Sequence, residues 1–202
     1  MREATQSRPR TKPPEERRDE LMNAAQNLFI EHGVGQTTIE QITVGANVAK
    51  GTFYLYFSSK EDVLAGLRQR YVQGLLAGIK SAVDATPAGD WRGKLAAWAK
   101  ASIAGYLDAI LLHDIVFVES HPTGRKGLVD NVVIDHLSKL LEAGMAAGAW
   151  TIDDPRFTAV FLFNGFHGIA DDASSREKRV ARGVLTAKLQ RACFRAVGVS
   201  AL

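Results

Sequence analysis

No stretch of this chain alternates apolar and polar residues over a useful length, and that absence constrains the fold more than any motif. Valine and isoleucine sit mostly among alanine, leucine and lysine, and apolar residues return every three or four positions, the spacing of a helix face. The runs are separated by loops rich in turn residues: DATPAGD at 84–90, HPTGRKG at 121–127, GAWTIDDP at 148–155 and DDASSR at 171–176. The spacing predicts an all-α chain. Its 202 residues allow one medium domain or two small ones, and 46% hydrophobic with 23% charged residues suit a chain that buries a core.

After Pro13 and Pro14, which suit the first turn of a helix, Leu21, Ala24, Ala25, Leu28 and Phe29 recur at helical spacing. Glu15 and Glu16 stand at the favourable end of the helix dipole, and Gly33 is its stop. In TTIEQITVGA, either Thr37 with Glu40 or Thr38 with Gln41 makes a capping box, and Ile39 and Ile42 offer a buried edge. That helix is too short to stand alone. A turn at Ala46 and Asn47 follows, then a third helical stretch, and Ser58 or Ser59 caps a longer helix that starts at Lys60 and carries Val63, Leu64, Leu67 and Tyr71.

The third stretch, VAKGTFYLYFSSKEDV at 48–63, holds four aromatic rings and two lysines. Projected as a helix over residues 50–57, it puts Phe53 and Phe57 on one side, Gly51, Thr52 and Leu55 opposite, and Tyr54 and Tyr56 on the flanks. Two short helices joined by a tight turn and closed by a longer one make a helix-turn-helix, the plan for reading the DNA major groove. The phenylalanines anchor the reading helix, while the tyrosine hydroxyls reach phosphates or base edges. Gly51 admits the backbone, Thr52 adds a hydroxyl and a methyl, and Lys50 and Lys60 add charge, Lys60 at a helix start whose N–H groups favour a phosphate. A plain three-helix bundle that binds nothing is the alternative, and the outward tyrosines and flanking lysines stand against it.

Residues 15 to about 65 resemble the DNA-binding domain of the tetracycline-repressor (TetR) family, most closely through TTIEQITVGANVAKGTFYLYFSSKEDVL. The resemblance implies that Thr38, Lys50, Gly51, Thr52, Tyr54, Tyr56 and Lys60 lie where operator DNA is touched. Leu55 takes the variable, groove-facing position, suited to a thymine methyl. Asn47 stands where the family usually has glycine, and Ala49 where a serine is common. Ahead of this domain, residues 1–14 form a basic arm in which Arg2, Arg8, Arg10 and Lys12 face only Glu3, equal to the whole formal charge of +3.

The resemblance assigns residues 66–202 to a helical regulatory and dimerisation domain, with GAWTIDDP as the loop before the dimerisation helix. Phe157, Val160, Phe161, Gly165 and Gly168, with Val180, Val184 and Ala187 on the last helix, are the expected dimer face, two helices from each copy forming a four-helix bundle. A largely apolar pocket for an unidentified small effector draws on Trp98, Tyr106, His113, Phe117, His121, Trp150, Phe163, Asn164 and His167.

Catalysis and metal binding find no support in the pattern. His113 and His121 are eight residues apart rather than three or four, and there is no nucleophile elbow, P-loop or dinucleotide glycine pattern. No catalytic residue, metal or cofactor is expected. The one cysteine, Cys193, leaves no internal disulfide. The most apolar segment, residues 106–120, is broken by Asp108, His113 and Asp114 well short of the ~20 apolar residues of a membrane span, and the first residues lack the apolar run of a signal peptide. The expectation is a cytoplasmic, ligand-responsive transcriptional repressor that grips a palindromic operator as a homodimer. Its rival is a helical small-molecule-binding or enzymatic protein whose N-terminal bundle is an interaction module.

Overall fold

The computed structural model describes residues 12–119, 131–175 and 181–199, all helix and loop as the spacing predicts. The α-helices are α1 (Pro14–Gln36), α2 (Ile39–Gly45), α3 (Lys50–Phe53), α4 (Lys60–Asp84), α5 (Trp91–Asp108), α6 (Ile110–His113), α7 (Val132–Ala146), α8 (Pro155–Ser175) and α9 (Arg182–Ala196), with a π-helical turn at Asp114–Glu119. Among the described residues no single helix is long and apolar enough to cross a membrane. The chain divides into two units, Met1–Gln69 with Leu111–His121, and Arg70–Ile110 with Pro122–Leu202. The division therefore falls inside α4 rather than at residue 65, and a segment from mid-chain joins the first unit.

In the first unit α1 starts on Pro14, whose missing N–H costs nothing at that position. Gly33 breaks its path with φ 79° and ψ 158°, a left-handed φ that glycine adopts without strain. One further turn leads to Thr37, whose buried hydroxyl donates to the Gly33 carbonyl at 2.9 Å. Leu21, Met22, Ala25 and Phe29 of α1 meet Ile42 of α2, Phe53 and Phe57, and Val63, Leu64 and Leu67 of α4 in one core. Ile115 and Val116 of the π-helical turn enter the same core. Arg68 fixes them there, its Nε and Nη2 donating to the Val116 carbonyl at 2.9 and 2.7 Å while its guanidinium lies 5.3 Å from the centre of the Phe117 ring.

The second unit packs α5 and α7 to α9 with the rest of α4. Asp90 caps α5 by accepting from Gly93 N at 2.8 Å, and Asn131 caps α7 by accepting from Val133 N and Ile134 N. Leu95, Trp98 and Ile103 pack with Ile134, Leu137 and Leu141, with Leu162 and Phe166, and with Leu185, Leu189 and Cys193. Burial alone pushes the Cys193 thiol up to about 12, so it packs as a small apolar group. Trp150 closes the base of α7, its Nε1 donating to the Leu141 carbonyl at 2.9 Å, and only a glycine at 144 leaves room for its ring.

Candidate nucleic-acid interface and effector cavity

Thr38 caps α2 in the expected box with Gln41. Its hydroxyl accepts from Gln41 N at 3.2 Å, and Gln41 Oε1 accepts from Thr38 N at 2.8 Å. After α2, Asn47 turns the chain at φ 53°, the left-handed geometry that asparagine tolerates in place of glycine. Val48 N then donates to the Thr43 carbonyl at 2.9 Å, closing the turn into α3.

The third stretch departs from the helix expected over residues 50–57. Only Lys50–Phe53 is α-helical; Leu55 N bonds Thr52 O at 3.2 Å and Tyr56 N bonds Phe53 O at 3.0 Å, tightening 54–56 into a turn. Gly51, Thr52 and four aromatics are poor helix formers, which accounts for the early end. The division of faces survives. Phe53 and Phe57 are 0% and 2% exposed, whereas Tyr54 is 54% and Leu55 78% exposed. Lys50 and Gly51 are exposed, Thr38 as well, while Thr52 and Tyr56 are half-buried. The Tyr54 ring stands edge-on to Phe53, 5.4 Å between centroids, so its base is held while its hydroxyl is outside.

Lys60 differs from its expected place. Its ammonium donates to three main-chain carbonyls at the end of α1, Val34 at 2.8 Å, Gly35 at 3.3 Å and Thr37 at 2.5 Å. All three ammonium hydrogens have acceptors inside the unit, so Lys60 acts here as a clamp across the α1–α2 corner. The start of α4 is likewise occupied by its own side chains. Ser59 Oγ accepts from Asp62 N at 3.2 Å, and the Asp62 carboxylate accepts from Ser58 N at 2.9 Å. A hydrogen bond from its own backbone, then one from Ser59, hold the Glu61 carboxyl below its ordinary range.

Within the second unit a cavity of about 20 Å³ lies among α4, α5, α7 and α8. That is room for about one water, against several hundred Å³ for a drug-sized site, so the side chains are closed upon it. Of the residues expected in a pocket, Trp98, Tyr106, Phe163 and His167 line this cavity. The sequence reading missed Leu75, Ser102, Ile103, Val133 and Phe166. Ser102 had a signal, since it stands one turn after Trp98 on one helix face.

The other expected pocket residues lie elsewhere. His113 and Phe117 belong to the first unit, ring centroids 5.0 Å apart, because the chain crosses into that core after Ile110. Trp150 is committed to Leu141 and Gly144. Asn164 is exposed, its amide donating to the Val160 carbonyl at 2.8 Å. His121 falls outside the described residues, as do the arm residues 1–11 and Val180. Of the expected dimer face, Phe157 is 68% and Phe161 64% exposed, and Gly168 and Val184 are exposed beside a half-buried Gly165. Val160 packs partly into the unit's own core, and Ala187 is half-buried, facing a groove shared with Ala96 of α5. No group of three metal-ligating side chains exists among the described residues.

The family model for bacterial regulatory proteins, tetR family, matches residues 21–67, the helices just described and the turn between them. The HTH-type transcriptional activator FasR of Mycolicibacterium smegmatis is 27% identical over 139 residues, 69% of this chain and 57% of that protein. The HTH-type transcriptional repressor KstR2 of Mycobacterium tuberculosis is 36% identical over 70 residues, 35% of each. The chain thus spans less than two thirds of the length of either relative. The fatty acid degradation regulator FadR from Bacillus halodurans has a similar fold, with a TM-score of 0.74 over 91% of this chain and 96% of that one at 24% identity. A protein of unknown function from Rhodococcus sp. RHA1 superposes with a TM-score of 0.78 over 95% and 99% of the two chains at 20% identity. Residues 21–67 thus match the model of the tetR family of bacterial regulatory proteins, and over 95% of its length the chain shares the fold of the Rhodococcus protein.

Proposed function

We propose that the protein is a transcriptional repressor that binds double-stranded operator DNA as a homodimer and is released by a small, largely apolar effector. The observation that carries this reading is the pair of exposed residues Tyr54 and Leu55 set on a buried Phe53 and Phe57. A rigid apolar base with hydroxyl, methyl and ammonium groups above it is suited to phosphate contact and base readout. Lys50, Gly51, Thr52, Tyr54, Leu55 and Tyr56 meet the duplex, Thr38 meets the backbone from the start of α2, and Lys60 serves by holding the corner that orients them. Two copies, joined through the exposed face of Phe157, Phe161, Gly168 and Val184, set two such segments on half-sites about one helical turn apart, roughly 34–36 Å.

Effector binding in the second unit favours a conformer in which that spacing is wrong, a population shift rather than an unfolding. Two similar proteins carry the names of fatty-acid regulators, and an acyl-like molecule suits the apolar cavity lining. The test is selection of operators from random DNA with the full chain. The expected result is a two-fold symmetric site whose binding falls steeply with salt and weakens on Tyr54→Phe. Recovery of no preferred sequence would sink the reading. Phe161→Asp is expected to convert dimer to monomer in sedimentation and to abolish operator binding, and transcription in vitro from a promoter carrying the site reads the sign of regulation.

A further inference from the structure

Inside the second unit two side chains of the cavity lining, Trp98 and Ser102, carry buried polar atoms that make no hydrogen bond. Trp98 is fully buried, and its Nε1–H makes no hydrogen bond; Ser102, four residues on, has a buried hydroxyl that makes none either. Residues four apart on a helix stand on one face, so the two side chains leave neighbouring positions on the α5 wall. A buried donor without an acceptor carries a desolvation cost that any arriving acceptor removes. The indole can only donate, and the hydroxyl donates as readily, so the group that satisfies both is an acceptor oxygen.

The charge of that oxygen follows from its surroundings. Among the described residues no lysine, arginine, aspartate or glutamate lines the cavity. An acid just behind the lining works against an anion, since the Tyr106 hydroxyl, itself in the lining, donates to the Asp171 carboxylate. His167 Nδ1 lies 3.0 Å from the Phe163 carbonyl, which only accepts, so that nitrogen carries a hydrogen and is spoken for. A carboxylate placed here would be desolvated with no cation to meet it, which costs far more than a neutral carbonyl.

Resting on the effector reading above and deepening it, we infer that the effector is an uncharged molecule whose carbonyl-type oxygen is held by Trp98 Nε1–H and Ser102 Oγ–H, with its apolar body displacing the rings that now close the cavity. Free carboxylates are discriminated against.

Matched probes decide this: methyl octyl ketone against decanoate, and acetonaphthone against naphthoate. Calorimetric titration of the full chain at about pH 8, where an ordinary imidazole is neutral, gives their affinities. Each ketone is expected to bind at least roughly tenfold more tightly than its carboxylate. Trp98→Phe and Ser102→Ala are each expected to weaken the ketones by roughly threefold to tenfold while leaving the carboxylates nearly unchanged. A carboxylate that binds as tightly as its ketone overturns the inference and leaves effector control standing. So do ketone affinities that ignore both substitutions, or failure of all four probes while operator binding persists. Loss of sequence-selective DNA binding in the untreated protein strikes the functional reading instead. Should Trp98→Phe not fold, Ser102→Ala and the wild-type probe pairs still decide.

Discussion

The two units place their polar groups in opposite ways. In the first, the groups proposed to act lie outside a closed core, and the buried polar side chains are satisfied: Thr37 by the Gly33 carbonyl, Thr43 by the Glu40 carbonyl. In the second, the groups proposed to act lie inside, and the buried atoms of Trp98, Ser102 and His136 make no hydrogen bond. A surface that reads another molecule needs a firm backing, whereas an interior that admits one must keep some of its bonding unspent. The cost of that openness falls on the second unit's own stability.

The largest expected effect tests the closed side. Phe53→Ala removes a fully buried ring and should cost about 3–5 kcal/mol in urea unfolding, taking operator binding with it. Trp98→Phe, on the open side, should cost less than about 1.5 kcal/mol, because it also removes an unmet donor. Equal costs would break the comparison. Next, Gly144→Ala sets a methyl group 2.0 Å from the Trp150 ring, which is tied to Leu141. Overpacking there should cost about 1–3 kcal/mol, seen as a lower melting temperature with operator affinity per folded molecule unchanged.

Lys60→Met separates clamp from phosphate contact. As a clamp, it should destabilise the first unit by about 2 kcal/mol without DNA and leave the salt slope of operator binding nearly unchanged. Lys50→Met should do the reverse, sparing stability and lowering that slope by about one. The smallest effect is a pH dependence. Burial, then Lys80, holds the His136 imidazole below its ordinary value, so the unfolded chain binds a proton that the folded chain refuses. Stability present above the ordinary imidazole range, about 6.5, should therefore fall as pH drops through it. His136→Gln should flatten that fall in melting curves.

The same contrast explains how legible each unit was. Capping at Thr38, the left-handed Asn47, the stop at Gly33 and the inward Phe53 and Phe57 all depend on residues within a few positions of one another, so the chain displays them locally. The early end of α3 was missed because a turn of i to i−3 bonds buries the same two phenylalanines as a helix does. Lys60 was misread because its acceptors are 23 to 26 residues away, and an exposed-looking lysine gives no sign of distant carbonyls. The cavity was half seen for a similar reason. Aromatic size flagged Trp98, Tyr106, Phe163 and His167, but whether His113 and Phe117 join them is decided by where the chain crosses between cores, which periodicity along one helix does not encode.

That crossing bears on biosynthesis. Ile115 and Val116 complete the core around Phe29 and Phe53, with Arg68 gripping the backbone between them and Phe117. On the ribosome, the helix-turn-helix emerges before this mid-chain stretch and stays unfinished until the stretch follows it out. A gene fragment ending soon after α4 should consequently yield a ragged, protease-sensitive product, and a minimal DNA-binding version would need those residues grafted back.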